Sequence, residues 1–252
     1  MQNMIKQNIS LCIGRQFSVI GSDSYDITYI SDSIVDFNLF RRGGELVFPL
    51  YIYPNAEKEH LFSEHETGEK KPNISKELFE ELNKQFKKDI SPEEIFYYIY
   101  AVLYSNIYRT KYAEFLRIDF PRVPFTKDYK LFIQLSKLGK YLADLHLLKS
   151  KDLDKTISKF PQSGDNRVEK PIFKDGKVWI NTEQYFDGIS EEVWEYQIGG
   201  YQVCEKWLKD RKGRTLTLDE IQTYCKIVTA LSKTIELQKE IDKLYDRVEQ
   251  GT

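Results

Sequence analysis

The strongest chemical signal in the sequence is a short basic segment late in the chain. Residues 205–214 hold five cations and two anions, a local excess of +3 in a chain whose net charge is −2. Cations at this density can neutralise DNA phosphates. The candidate phosphate contacts are Lys206, Lys209, Arg211, Lys212 and Arg214. The same charges also complement a helix C-terminus and aid solubility, so the segment alone leaves both interpretations open.

Sequence-specific DNA recognition also needs side chains that reach base edges. The planar fork of arginine can grip a guanine edge or a phosphate. The candidates for base contacts are Arg15, Arg41, Arg42, Gln197 and Gln202. Arg41 and Arg42 stand in a glycine-flanked turn, where paired surface arginines are usually only solvated.

Groups for covalent or metal chemistry are scarce. The sequence has no glycine-rich phosphate loop, no G-x-S-x-G motif and no H-E-x-x-H motif. His60 and His65 lie in an acidic stretch whose spacing favours a solvated loop over a metal site. His146 borders a leucine stripe, which favours a core-edge or surface histidine over a general base. The sequence therefore predicts no catalytic residue, no metal and no cofactor.

The composition predicts a folded protein rather than a disordered tail. The 252 residues are 41% hydrophobic and 30% charged, and the near-neutral charge balance excludes a uniformly cationic nucleic-acid coat. No stretch is apolar enough to span a membrane, and the N-terminus lacks the pattern of a signal peptide, so we expect a cytoplasmic protein without membrane contact. Cys12, Cys204 and Cys225 are expected to be buried thiols.

Two β-rich parts are expected, at about residues 9–54 and 160–198. In the first, residues 27–30 and 46–53 are β-branched and aromatic runs, and Pro49 indicates a sheet edge or a bulge. Residues 55–74 are polar and acidic, which is typical of an exposed loop. In the second part, Asp175 and Gly176 form a two-residue turn signal between short strands, which predicts a hairpin.

Two helical parts are expected, at about residues 75–150 and 200–248. The first includes a helix that begins with the capping box Ser91 to Glu94, a second short helix over about 107–115, and a leucine-striped helix over about 131–149. Prolines make residues 118–125 an extended connector. The second part has a helix over about 201–212, and a second capping box, Thr217 to Glu220, precedes a long helix to about 248. The apolar stripe of this last helix shifts along its length, so a uniform coiled coil is not expected.

Tyrosines at 100, 104, 108 and 112 recur every four residues. On an unbroken helix they would line one face, where bases could stack. Their strongly apolar neighbours favour core packing instead.

Several segments together resemble the C-terminal part of large restriction-modification DNA methyltransferases, and the single-polypeptide type I group most of all. They occur in a shared order from about residue 9 to about residue 244. They are Gly14-Arg15-Gln16, VFPLYIYP at 47–54, YIYAVLYS at 98–105, Tyr108-Arg109, YAEFL at 112–116, IDFPRVPF at 118–125, VWEYQIGGYQV at 193–203 and KWLKDR at 206–211.

The resemblance implies a target recognition domain, which in that family follows an adenine-amino methyltransferase core and reads the DNA sequence. The N-P-P-Y/F methyl-transfer motif is absent from this sequence, as are helicase and nuclease motifs. With the elements predicted above, we interpret the chain as a single α+β DNA-recognition domain over residues 1–252, with a mostly antiparallel β part packed against a helical part that has a long C-terminal helix. Its expected partners are double-stranded DNA and a methyltransferase core, in cis or in trans.

Two alternatives remain open at this stage. The chain could be a protein-interaction module that docks onto a methyltransferase or helicase through its long last helix and exposed aromatics, which the negative net charge mildly favours. It could also be a small metal-dependent nuclease that uses the acidic loop, although short D-x-K and E-x-K strings are expected by chance in so charged a chain.

Overall fold

The structure is a computed structural model, and it describes residues 2–14, 25–36, 45–53, 69–116 and 118–250. Its N-terminal β part is a three-stranded antiparallel sheet in the order β2-β1-β3, next to a two-stranded pair formed by β4 and β5. The strands are β1 (Ser10–Gly14), β2 (Thr28–Ser31), β3 (Glu45–Pro49), β4 (Tyr51–Ile52) and β5 (Lys71–Pro72). Pro49 ends the edge strand β3, as predicted. Proline has no backbone N–H to donate to a neighbouring strand, so it suits the edge of a sheet.

Five helices follow this sheet and form the first helical part. They are α1 (Lys76–Phe86), α2 (Pro92–Tyr104), α3 (Asn106–Lys111), α4 (Ala113–Leu116) and α5 (Tyr129–His146). The predicted capping box at Ser91 and Glu94 is confirmed at the start of α2. Helices α2 and α5 approach closely at Gly139, where a Cβ would lie 1.9 Å from the carbonyl oxygen of Tyr97.

The second β part is an antiparallel sheet in the order β6-β7-β8. Its strands are β6 (Ile172–Lys174), β7 (Lys177–Trp179) and β8 (Tyr185–Asp187). The predicted hairpin turn is confirmed, with φ of 52° at Asp175 and 74° at Gly176, values that aspartate and glycine tolerate best. The remaining elements are α6 (Glu191–Trp194), β9 (Gln197–Ile198), β10 (Tyr201–Gln202), α7 (Val203–Lys209) and α8 (Leu218–Gln250).

Helix α8 takes part in two separate hydrophobic cores. Its C-terminal half, with Ile241 and Tyr245, packs into the core of the first β part and helices α1 to α5. Its N-terminal half, with Tyr224 and Val228, packs into the core of the β6–β8 sheet and α7. Between them the Gln238 amide donates to the carbonyl of Tyr104 at 3.1 Å. This change of partners explains the shifted apolar stripe.

The predicted fold class is confirmed, while three boundaries are corrected. The helix expected over 201–212 covers only Val203–Lys209, because residues 201–202 pair with 197–198 before the helix can begin. The short helix expected over 107–115 is two helices, interrupted at Tyr112. Residues 71–72, expected in a loop, form β5 against β4.

Other expectations concern buried groups. All three cysteines are buried, as predicted. Tyr100, Tyr104 and Tyr108 are also buried, which confirms core packing for these tyrosines. Within the described ranges, no helix is both long and apolar enough to cross a membrane.

Candidate nucleic-acid interface

The two lysines on α7 form ion pairs within their own helix. Lys206 Nζ lies 2.6 Å from Asp210 Oδ2, and Lys209 Nζ lies 2.8 Å from Glu205 Oε2. Both pairs join residues four apart, which are neighbours on a helical surface. These lysines therefore have acidic partners that a phosphate would have to replace.

Arg211 and Arg214 are held by an acid from the start of α8. The Glu220 carboxylate lies 3.2 Å from Arg211 Nε and 3.0 Å from Arg214 Nη2. Arg211 also donates to the carbonyl of Trp207 at 3.0 Å and stacks on its ring, with Cζ 3.5 Å from the ring centre. The Arg211 side chain is only 23% exposed, whereas that of Arg214 is 59% exposed. Arg211 thus has a structural role as well as its charge.

Glu220 also caps α8. Its carboxylate accepts the backbone N–H of Thr217 at 3.0 Å, and its own N–H donates to Thr217 Oγ1 at 3.2 Å, so the predicted capping box is confirmed. The pKa of Glu220 is lowered, first by the Thr217 N–H and then by Arg211 and Arg214. Counting Glu220 with the segment 205–214, the local charge excess is +2 rather than +3.

Lys212 differs from the other cations of this segment. It is exposed and lies three residues after the end of α7, in the turn that leads to α8. Within the part of the chain that the structure describes, it forms no ion pair. Lys212 can therefore contact an anion without breaking an ion pair with any other described residue.

Gln197 and Gln202 lie directly opposite each other on the β9–β10 ribbon, which leads into α7. The turn between these strands is Gly199-Gly200, with φ of 61° and 75°. Asp26 holds this turn, since its backbone oxygen accepts from Gly199 N and its carboxylate accepts from Gly200 N, both at 3.3 Å. Burial raises the pKa of Asp26. The ribbon is thereby fixed to the N-terminal β part, next to the basic segment.

The other three candidates for base contacts, Arg15, Arg41 and Arg42, lie outside the described residues, as do His60 and His65. Sequence reasoning missed the acidic partners of the basic segment. The four-residue spacing of Glu205 to Lys209 and of Lys206 to Asp210 was a usable signal for two of them. The pairing of Glu220 with Arg211 had no such signal, because it depends on how α7 and α8 meet.

His146 lies at the edge of the first core, between two hydroxyl groups. Its Nδ1 lies 2.6 Å from the Tyr100 hydroxyl and its Nε2 lies 2.9 Å from Thr234 Oγ1. Burial and then the charge of Arg109 lower the pKa of His146 to about 3. Among the described residues, no group of three or more His, Cys, Asp or Glu side chains could hold a metal ion.

The fold and this surface define an α+β domain that presents cationic and amide side chains beside one end of a long helix. The chain belongs to the Type ISP C-terminal specificity domain family, whose model matches residues 1–240. The family resemblance seen in the sequence is thus confirmed. No curated protein sequence matches the chain at a significant level.

Three solved structures with the same fold are complexes with DNA or a DNA mimic, and two of them are Type ISP restriction-modification enzymes. One is the ATP-dependent Type ISP restriction-modification enzyme LlaBIII bound to DNA, with a TM-score of 0.68 and 24% identity over 94% of this chain and 16% of that chain. A nuclease-deletion mutant of the Type ISP enzyme LlaGI with a DNA substrate mimic has a TM-score of 0.62 and 22% identity, over 93% of this chain and 18% of that chain.

A third structure is a DrdV–DNA complex, with a TM-score of 0.69 and 19% identity over 95% of this chain and 24% of that chain. At these identities the likeness shows the fold alone. The chain spans between 16% and 24% of the length of these three proteins.

Proposed function

We propose that this chain is the sequence-specific double-stranded DNA recognition module of a restriction-modification adenine methyltransferase, and that it acts as one recognition domain without a catalytic core. The observation that carries the proposal is the match of residues 1–240 to a specificity domain. Its structural neighbours were solved in complex with DNA or a DNA mimic, which supports the choice of partner.

In this proposal the basic segment holds the DNA backbone. Lys212 contacts a phosphate directly, because it has no ion pair to give up among the described residues. Lys206, Lys209 and Arg214 exchange their carboxylate partners for phosphates, and Arg211 supports them from its place on Trp207. Replacing a carboxylate partner by a phosphate gains less binding free energy than forming a new ion pair. These cations therefore contribute moderate affinity for DNA, and that affinity is sensitive to salt.

Base contacts are proposed for the β9–β10 ribbon, through Gln197 and Gln202, and for Arg15, Arg41 and Arg42. The ribbon is suited to this role because Asp26 and the Gly199-Gly200 turn fix it before DNA arrives. A preorganised element loses little conformational entropy on binding. The methyltransferase core, in cis or in trans, would supply methyl transfer and the binding of its cofactor.

A gel shift tests the proposal against its alternatives. The chain is mixed with random duplex DNA at two salt concentrations, with and without magnesium. Retarded DNA that is released at high salt supports the recognition module. DNA that is cut only with magnesium supports a nuclease, and DNA that runs unchanged under all conditions contradicts the proposal.

A triple variant, Lys206→Gln, Lys209→Gln and Lys212→Gln, tests the basic segment while it leaves Arg211 on Trp207. Affinity falls as salt rises, and each phosphate contact adds about 0.9 to the steepness of the plot of log affinity against log salt. If all three side chains contact phosphates, the plot for the triple variant should be less steep by up to about 2.7. The matched control replaces the exposed lysines Lys137, Lys151 and Lys243 by Gln, and it should leave the slope unchanged. Equal slopes in the two triple variants would remove the segment from the interface.

An apolar groove favours a protein-interaction module as the second candidate. The groove, of about 590 Å³, is lined by Leu11, Ile13, Ile99 and Phe120, and Phe48 at its edge is 41% exposed. Such a groove suits an apolar surface of a methyltransferase or helicase. Replacement of Phe48 by Ser should then abolish binding to a purified methyltransferase core while DNA binding persists.

A further inference from the structure

Residues 161–170 form an exposed loop whose conformation is fixed by one buried amide. Gln184 is 1% exposed, and its Oε1 accepts from the Asn166 N–H at 2.8 Å and from Asn181 Nδ2 at 3.0 Å. Its Nε2 donates to the Gln162 carbonyl at 3.1 Å and to Asn166 Oδ1 at 2.8 Å. Every hydrogen-bonding position of this amide is used, so the polar loop is rigid although it has no regular structure.

A second set of contacts ties this loop to the turn between α7 and α8. Val168 N donates to the Arg214 carbonyl at 2.9 Å, and Gly213 N donates to the Val168 carbonyl at 2.7 Å. Leu216 N donates to the Asn166 carbonyl at 2.9 Å. The loop and the basic segment are therefore one continuous surface.

This surface presents two cations that were not among the predicted DNA contacts, next to one that was. Arg167 and Lys170 are exposed in the loop, and Lys212 is exposed in the turn. None of the three forms an ion pair within the described ranges, in contrast to Arg211 and Arg214. Guanidinium and ammonium groups without ion pairs, on a fixed backbone, can make the two kinds of contact that sequence recognition requires. These are contacts to base edges and contacts to phosphates.

We propose that Arg167 reads a guanine edge in the major groove and that Lys170 and Lys212 contact the phosphates beside it. The proposal rests on the proposed function and adds a base-reading element to it. Arginine matches guanine O6 and N7 with two parallel hydrogen bonds, which a lysine cannot reproduce in the same geometry. The bonds of Gln184 and the pairing with residues 213–216 hold the backbone around Arg167 before binding, so only the side chain has to be ordered by the contact.

The test uses the full chain and a pool of random duplex DNA, with the bound fraction sequenced. Wild type should select a preferred sequence that contains a G·C pair. Arg167→Lys should reduce discrimination at that one position by roughly 5- to 150-fold and leave the salt slope unchanged, because the charge is kept. Lys170→Gln and Lys212→Gln should keep the preferred sequence. Each should make the fall of log affinity with log salt less steep by about 0.9.

Arg247→Lys is the matched control, since Arg247 is an exposed arginine near the far end of α8. It should match wild type in preference and slope. The base-reading role of Arg167 is overturned if Arg167→Lys keeps full discrimination, while a wild-type preference for one sequence leaves the proposed function standing. If wild type itself selects no sequence, both proposals fail together. Thermal melting of each variant confirms folding, and these exposed side chains should leave it unchanged.

Discussion

Acidification should destabilise this protein through His146. The folded-state pKa of His146 is about 3, below the value of about 6.5 for a free histidine, because burial and then Arg109 disfavour its charged form. The unfolded chain therefore takes up the proton first. The contribution of this group is complete above about pH 6.5, and it is lost progressively as the pH falls towards the folded pKa.

The magnitude follows from these two values. At pH 5, protonation of this histidine in the unfolded chain lowers the free energy of unfolding by RT ln(1 + 10^1.5), or about 2 kcal/mol, relative to pH 8. His146→Gln removes the titration while it keeps a side chain that can hydrogen-bond Tyr100 or Thr234. Wild type should therefore lose about 2 kcal/mol more unfolding free energy than this variant between pH 8 and pH 5.

Urea denaturation at pH 8, 7, 6 and 5, followed by tryptophan fluorescence, measures this difference. Carboxylates that titrate in the same range contribute equally to both proteins and cancel in the comparison. The double variant His60→Gln and His65→Gln is the control for the other histidines of the chain, and it should retain the wild-type pH dependence. Parallel stability curves for wild type and His146→Gln would refute the reasoning.

Three further changes have defined outcomes. Gly139→Ala should cost roughly 3 kcal/mol or more in thermal or urea unfolding, because its Cβ would overlap the Tyr97 carbonyl oxygen and force α2 and α5 apart. Thr217→Ala should cost about 1 kcal/mol in the same measurement, since the side-chain cap of α8 is lost. In DNA titrations at several salt concentrations, Lys212→Gln should lower the salt slope by about 0.9. Lys209→Gln should lower it less, because Lys209 already has Glu205 as a partner.

Local features of the fold could be predicted from the sequence. The Asp175-Gly176 turn and the two capping boxes depend on residues within four positions of each other, so their chemistry is visible in a short window. The α+β class followed from the alternation of apolar patterns. The late start of α7 was missed because the pairing of β9 with β10 competes with helix formation at residues 201–202.

The candidate site was only partly predictable, because its geometry depends on long-range contacts. The basic segment was visible as a run of charges, but its partial neutralisation by Glu220 requires the meeting of α7 and α8. Gln184 had no signal at all, since the groups it joins at 162, 166 and 181 have no shared periodicity. Hydrogen bonds of this kind are recognised only when the chain is folded.

The participation of α8 in both cores has a consequence for how the molecule melts. A straight helix of 33 residues is about 50 Å long, and backbone hydrogen bonds join its successive turns. Neither hydrophobic core can unfold without exposing part of α8 to solvent. We therefore expect the two cores to unfold in a single cooperative transition. In a calorimeter the protein should give one endotherm, with equal van't Hoff and calorimetric enthalpies.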